Sequence, residues 1–206
     1  MRVNKERLAK WKGIESKLKI ADIILTTDKQ SYLSAAIRKA TKGHWSHAAL
    51  VFFVPNKKLL FNNTLVIEAL DNGIEIHRIQ KYARYMDQFD IGVKRVPGLT
   101  DELREKVLAF MLNNVDVPYD FTRLFAYLLK KILGNFVEKY KEHLINKDDF
   151  VCSTFAQKAF WNAMPEDKKA SVFFKKDFKS EFSLEEVTPA DIARSKNCIW
   201  LYNPHR

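Results

Sequence analysis

Residues 45–54 read Trp-Ser-His-Ala-Ala-Leu-Val-Phe-Phe-Val, an almost continuous apolar run that follows a single histidine, His47. An apolar run of this length is typical of a strand that is buried on both faces. Pro55-Asn56 ends the run, as turn-forming residues do. We therefore predict a central strand that begins at His47 and carries an ionisable ring at its start.

Further strands are expected on either side of this segment. Asp71-Asn72-Gly73 has the composition of a tight turn, so the two segments that flank it should pair as a hairpin. A mostly antiparallel sheet follows from these short connections. The predicted additional strands are 22–26, 64–70, 73–79, 89–96 and 198–202.

Helical spacing of apolar residues accounts for much of the remaining chain. Residues 1–20 predict a helical extension, and residues 121–145 carry a wide apolar stripe that predicts a long amphipathic helical region. Thr100 is a suitable N-cap for another helix, and Asp148 or Asp149 can cap a helix with Cys152 in its first turn. We expect an α+β fold with a mostly antiparallel sheet packed against helices, in one domain over residues 1–206.

Composition narrows the class of protein. The chain has 206 residues, a net charge of +10 and 47% hydrophobic residues, which argues against disorder and favours contact with an anionic partner. Two cysteines and a charged first segment are typical of a cytoplasmic protein without a secretory signal. We expect a cytoplasmic protein that is soluble or peripheral at an anionic membrane. No motif predicts a specific nucleic-acid partner.

Three residues form a candidate catalytic set. The first turn of a helix favours the thiolate of Cys152, and its free N–H groups can stabilise an oxyanion. His47, held at the start of a buried strand, is a candidate base. Glu68 lies between Ile67 and Ala69 in the neighbouring strand, where a carboxylate is unusual and can orient the imidazole.

Each of these residues also has an ordinary structural interpretation. Cys152 can be a small buried hydrophobe, His47 a structural histidine and Glu68 a solvated residue at a strand edge. Cys198 is assigned to packing in the last strand. His44 and His47 with either cysteine match no strong metal-binding spacing, so we predict neither a metal nor a cofactor.

Several short motifs, taken in order, resemble those of one family. They are Ala-Asp-Ile-Ile-Leu at 21–25, Trp-Ser-His-Ala-Ala-Leu-Val at 45–51, Val-Ile-Glu-Ala at 66–69, Pro-Tyr-Asp-Phe at 118–121, Val-Cys-Ser-Thr-Phe at 151–155 and Pro-Ala-Asp-Ile-Ala at 189–193. The chain resembles the YiiX-like group, a permuted branch of the NlpC-type, papain-like cysteine peptidases that also include relatives of lecithin:retinol acyltransferase. This resemblance implies a circularly permuted papain-like fold, in which the histidine precedes the cysteine.

The resemblance also implies roles for individual residues. Cys152 would be the nucleophile, His47 the base, Glu68 the orienting third member and Tyr119 a polar, substrate-binding neighbour of the site. Ala21 departs from the pattern, since the family often has glycine there. This departure does not touch the proposed triad.

The resulting hypothesis is a cysteine-dependent hydrolase or acyltransferase that cleaves an amide or ester through a thioester intermediate. A cell-wall peptide or isopeptide competes with a lipid acyl substrate, and the apolar stripe of 121–145 favours the lipid slightly. The alternative is a non-catalytic membrane- or polyanion-binding protein. Neither the substrate nor the oligomeric state follows from the sequence.

Overall fold

A six-stranded antiparallel sheet organises the part of the chain that a computed structural model describes, residues 5–56, 63–70, 73–115, 152–175, 184 and 186–205. The strand order is β4-β3-β2-β1-β5-β6. The strands are β1 (Ile23–Asp28), β2 (His47–Phe53), β3 (Leu65–Leu70), β4 (Gly73–Arg78), β5 (Phe89–Arg95) and β6 (Ile199–Tyr202).

Helices precede, connect and follow these strands. They are α1 (Lys5–Glu15), α2 (Tyr32–Thr41), α3 (Gln80–Ala83), α4 (Asp101–Asn113), α5 (Cys152–Ala163), a 3-10 helix (Glu166–Val172) and α6 (Pro189–Arg194). Three expectations from the sequence lie outside the described residues: Tyr119, the helical region 121–145 and the Asp148 or Asp149 cap. None of the described helices combines the length and the apolar character needed to span a bilayer.

The strand beginning at His47 is central, as the sequence predicts. It pairs with β1 on one side and with β3 on the other. Side chains alternate between the two faces of a strand, and those of β2 are almost all apolar. Both faces of this strand must therefore be covered. Ala48 and Leu50 belong to one buried cluster, whereas Ala49 and Val51 belong to a second cluster on the opposite face.

Different helices cover the two faces of the sheet. Helices α4 and α5 pack together, α5 lies across β2 and β3, and their side chains contribute to the larger cluster. On the opposite face, Trp11 of α1 and Tyr82 of α3 pack in the smaller cluster. Burial of apolar area on both faces is the main force that holds these layers together. The arrangement brings the start of α5 close to the sheet.

Two threonine side chains cap described helices, and the cap predicted at Thr100 is confirmed. The Thr100 side chain accepts a hydrogen bond from the Leu103 N–H at the start of α4. Thr188 and Asp191 form a reciprocal capping box at the start of α6, and Pro189 follows the cap. The predicted hairpin also forms, because β3 and β4 pair in register from Leu70↔Gly73.

A buried lysine on β5 was not anticipated. Lys94 is 1% exposed, and its Nζ donates hydrogen bonds to the carbonyls of Ile192, Ala193 and Ser195 at 2.8, 2.8 and 2.9 Å. These carbonyls lie at the end of α6, where a helix leaves acceptors without internal partners. Lys94 therefore satisfies the end of α6 and ties it to the sheet.

Candidate active site

His47 and Glu68 meet across two neighbouring strands. The register Leu50↔Ile67, continued toward the start of β2, pairs Ala49 with Glu68. Since side chains two residues apart share a face, His47 lies diagonally opposite Glu68 on the same face of the sheet. His47 Nε2 donates a hydrogen bond to Glu68 Oε2 at 2.6 Å. The predicted contact between this histidine and this carboxylate is therefore present.

Glu68 is fully buried and has further partners on helix α3. The Tyr82 hydroxyl donates to Oε2, and Lys81 Nζ donates to Oε1 at 3.0 Å. Burial favours the neutral acid, but the hydrogen bond and charge of His47, followed by Lys81 and Tyr82, lower the pKa of Glu68 to about 2. Glu68 is thus a buried carboxylate that stays ionised, which rules out the solvated-edge interpretation.

Tyr82 remains a hydrogen-bond donor under ordinary conditions. Burial, together with the adjacent Glu68 carboxylate, raises the pKa of the Tyr82 hydroxyl far above its usual value. The buried Thr26 side chain has a smaller, opposite effect on the pKa of Tyr82. The Tyr82 hydroxyl therefore stays protonated, donates to Glu68 and helps to hold the carboxylate in place.

Cys152 approaches His47 from helix α5. It is the first described residue of α5 and is 5% exposed. The His47 imidazole and the backbone N–H groups of Ala48 and Ser153 lie near enough to its sulfur to lower the pKa of the thiol. Because Nε2 of His47 is engaged by Glu68, the Nδ1 nitrogen is the one left for the sulfur.

The pKa shifts of Cys152 and His47 favour a thiolate–imidazolium pair. Burial opposes ionisation of Cys152, but the charge and hydrogen bond of His47 and the two backbone donors lower the pKa of the thiol. Burial likewise opposes protonation of His47, yet Cys152 and then Glu68 raise the pKa of its imidazole to about 10. A preformed thiolate is the chemical requirement for nucleophilic attack.

The thiol pKa of the second cysteine, Cys198, is shifted in the opposite direction. Cys198 is 4% exposed, and its sulfur lies 3.5 Å from the carbonyl oxygen of Ile192. Burial raises the pKa of the Cys198 thiol despite the nearby Lys94. This is the packing environment that the sequence predicts for Cys198.

Sequence reasoning missed the residues that support Glu68. Tyr82 and Lys81 lie 14 and 13 positions from Glu68. Helix α3 is only four residues long, so its periodicity is too short to predict which side chain faces the sheet. The effect of the Ala48 backbone N–H on Cys152 was also missed, because every residue except proline has such a group and the pattern of side chains does not distinguish it.

The fold is similar to that of a solved structure, the metalloprotein YiiX from Escherichia coli O157:H7. The TM-score is 0.57 at 19% sequence identity, and the likeness covers 90% of this chain and 97% of that chain. At this identity the likeness concerns the fold. No curated protein matches the chain.

A family model also matches most of the sequence. It describes the permuted papain-like amidase enzymes of the YaeF/YiiX type, the C92 family, and it matches residues 17–202. The matched range includes His47, Glu68 and Cys152. The chain therefore belongs to the C92 family of permuted papain-like amidases.

Proposed function

We propose that this protein is a cysteine amidase in which Cys152 is the nucleophile, His47 the general acid and base, and Glu68 the group that orients His47. The observation that carries the proposal is the convergence on His47 of the Cys152 thiol and the buried Glu68 carboxylate. Membership of an amidase family supports the reaction class. The assignment of roles rests on the geometry and charge of these three residues.

The first half of the reaction forms a thioester. The Cys152 thiolate attacks the carbonyl carbon of an amide, and a C–S bond forms as the carbonyl oxygen becomes an oxyanion. The backbone N–H groups at the start of α5 are suitable donors for this oxyanion. Collapse of the intermediate breaks the C–N bond, and the His47 imidazolium gives its proton to the leaving amine.

The second half of the reaction releases the acyl group. Water attacks the thioester carbon and gives a proton to the neutral His47, and the C–S bond then breaks. The products are a carboxylic acid and the restored thiolate–imidazolium pair. An amine or alcohol in place of water would make the same site an acyltransferase.

The substrate class is proposed from the charge of the chain and from its family. A net charge of +10 favours substrates with an anionic part, which peptides of cell-wall type and acylated lipids both have. We propose a peptide or isopeptide amide as the first substrate to test, since amide cleavage is the activity that names the family. Lipid amides and esters form the comparison set.

Mass spectrometry of the intact protein tests the proposal. The protein is mixed with peptide amides, lipid amides and esters, quenched rapidly in acid, and examined for an added acyl mass. We expect an adduct on Cys152 with at least one amide, and none in Cys152→Ala. An adduct confined to esters would overturn the amidase assignment, and the absence of any adduct would favour the non-catalytic binding protein.

The matched control is Cys198→Ala, which removes the other buried thiol. This variant should still form the adduct, because Cys198 makes no contact that the proposed reaction uses. An adduct that depends on Cys198 would contradict the proposed nucleophile.

A further inference from the structure

A second group of ionisable side chains converges beside the first residues of β2. His44 precedes that strand, Asp90 lies on β5, and His205 follows β6. His44 Nε2 lies 3.0 Å from Asp90 Oδ2 and 3.0 Å from His205 Nε2, and His205 Nε2 lies 3.6 Å from Asp90 Oδ2. Three potential ligand atoms therefore surround one point.

We propose that His44, Asp90 and His205 form a binding site for one divalent transition-metal ion, with zinc as the best-suited ion. Imidazole nitrogens combined with one carboxylate oxygen form a donor set that zinc prefers, whereas Mg²⁺ and Ca²⁺ prefer oxygen donors throughout. This set differs from the combinations of His44, His47 and cysteine that the sequence analysis rejected. The catalytic residues are not part of it.

The separations of the three atoms suit a zinc ion. A circle through points with these separations has a radius of about 1.9 Å, slightly below the roughly 2.0–2.2 Å of Zn–N and Zn–O bonds. The three atoms could therefore ligate one zinc ion with little change in their separations. They would supply three of the four ligands that zinc usually takes, and water or another ligand would supply the fourth.

Neighbouring groups hold the three ligands in this arrangement. Lys29 Nζ binds the other carboxylate oxygen of Asp90, Oδ1, at 3.2 Å, which leaves Oδ2 facing the histidines. The Thr27 hydroxyl donates to the backbone carbonyl of His44 at 2.6 Å. The backbone N–H of His205 donates to Asn203 Oδ1 at 3.0 Å. The first of these bonds orients a ligand carboxylate, as outer hydrogen bonds in metal sites do, and the other two fix the backbone that carries the histidine rings.

The rings are also fixed by packing. His44 packs edge-on against Trp45 with ring centroids 5.0 Å apart, and the His44 and His205 ring centroids are 4.1 Å apart. The Asp90 side chain is 15% exposed, whereas those of His44 and His205 are 35% and 47% exposed. The ligand atoms are therefore anchored on one side and reachable by an ion from the other.

The proposed ion would join distant parts of the chain. His205 and His44 are 161 positions apart, and His44 is only three residues before His47. An ion held by both would tie the segment after β6 to the segment that leads into β2. We therefore expect metal binding to stabilise the folded protein, since a ligand that binds only the native state raises its stability.

The alternative is a cluster that is joined by hydrogen bonds and has no affinity for metal. Lys29 already supplies one positive charge to Asp90, and a neutral histidine can donate to its neighbour. The two interpretations differ in one measurable property, because a hydrogen-bonded cluster does not bind one equivalent of zinc.

The test uses the full chain with the Cys152→Ala substitution, which removes the thiolate that would otherwise compete for metal. After treatment with a chelator, the protein is titrated with Zn²⁺ by calorimetry and with Co²⁺ by visible absorption. We expect one ion per chain and Co²⁺ bands of a nitrogen–oxygen site without thiolate charge transfer. The melting temperature should rise with Zn²⁺.

Three variants in the same background locate the ion. His205→Ala and Asp90→Asn should each weaken Zn²⁺ binding by at least about 10-fold and abolish the rise in melting temperature. His77→Ala is the matched control, because His77 pairs with Glu75 at 2.8 Å elsewhere on the sheet. Binding should be unchanged in this control.

Three results would overturn the proposal. They are the absence of Zn²⁺ binding in Cys152→Ala, binding that survives both His205→Ala and Asp90→Asn, and binding that His77→Ala removes. Loss of binding on going from wild type to Cys152→Ala would place the ion at Cys152 and would likewise contradict the proposed site. None of these results depends on whether the amidase proposal holds.

Discussion

His47 and Tyr82 donate hydrogen bonds to the same oxygen of Glu68, Oε2. One ring comes from a central strand and the other from the short helix α3, so the carboxylate is held between two separate elements. Glu68 is fully buried, and a buried carboxylate needs such partners to remain charged. The position of His47 therefore depends on Tyr82, which acts on it through Glu68.

The first prediction concerns the reactivity of the two thiols. The pKa of Cys152 is lowered from 9.0 and that of Cys198 is raised from the same value, so the Cys152 thiolate persists to lower pH. At neutral pH, iodoacetamide should modify Cys152 much faster than Cys198. Peptide mapping of the alkylated protein measures both rates. Preferential labelling of Cys198 would contradict the proposed nucleophile.

The second prediction concerns the alkaline limit of activity. His47 has a pKa of about 10, so its imidazolium is lost only as the pH rises through that value. Amide cleavage should then decline at high pH, because the leaving amine no longer receives a proton. A pH–rate profile on any amide that labels Cys152 measures this limit. A decline centred near the ordinary histidine pKa of 6.5 would show that the pair is not formed.

The third prediction concerns Glu68→Gln. Loss of the carboxylate should lower the pKa of His47 and reduce turnover by about 10-fold or more, though less than Cys152→Ala does. The alkaline limit of the pH–rate profile should move to lower pH. Steady-state kinetics over a range of pH measures both effects.

Glu75→Gln is the matched control for this prediction. Glu75 pairs in register with Glu68 on the neighbouring strand and also contacts a histidine, His77, at 2.8 Å, but it lies outside the proposed site. Its loss should leave turnover unchanged. Equal rates in wild type and Glu68→Gln would remove Glu68 from the proposed triad.

The fourth prediction concerns Tyr82→Phe and acid stability. The pKa of Glu68 is lowered from 4.5 to about 2, so its charge stabilises the fold above pH 4.5 and that contribution is lost as the pH falls through about 2. Removal of the Tyr82 hydroxyl should raise the pKa of Glu68 toward 4.5. Acid unfolding should then begin at higher pH, with a loss of about 1.5–3 kcal/mol near neutrality.

Circular dichroism during acid titration measures this shift. Tyr85→Phe serves as the control, because Tyr85 is 46% exposed and follows the same short helix. Its acid transition should coincide with that of the wild type. Coincident transitions for Tyr82→Phe as well would mean that the hydroxyl does not stabilise the carboxylate.

The fifth prediction concerns Lys94→Met. Methionine retains much of the apolar stem but removes the donor to three carbonyls at the end of α6, so the free energy of unfolding should fall by about 2–4 kcal/mol. Urea denaturation measures the change. Lys175→Met, which breaks only a partly exposed pair with Glu186, should change stability by less than about 1 kcal/mol. Equal effects of the two substitutions would contradict the role assigned to Lys94.

Much of the fold could be predicted because its signals are local. The apolar run of β2, the turn-forming composition of residues 71–73 and the Thr100 cap each depend on a few adjacent residues. The predicted ends of the strands were less accurate. Strand β1 begins at Ile23 and continues to Asp28, beyond the predicted end at Thr26. Pairing with β5 extends the strand through Thr27 to Asp28, although aspartate is a residue type that is depleted in strands.

By itself, the sequence determined the six strands, the central position of β2 and the identity of three residues suited to acyl transfer. These follow from periodicity and from the chemistry of a thiol at a helix start, an imidazole on a buried strand and a carboxylate in an apolar run. The catalytic roles of Cys152, His47 and Glu68, and the contribution of Tyr119, stay predictions.

Only the tertiary structure decided which groups surround those residues. Tyr82 reaches Glu68 because α3 folds back over one face of the sheet, and His205 reaches His44 across 161 positions because β6 joins the edge beside β5. Such contacts depend on how whole elements pack, and packing is set by apolar area buried throughout the core. A short sequence pattern therefore does not predict which distant residue will contact it in the folded chain.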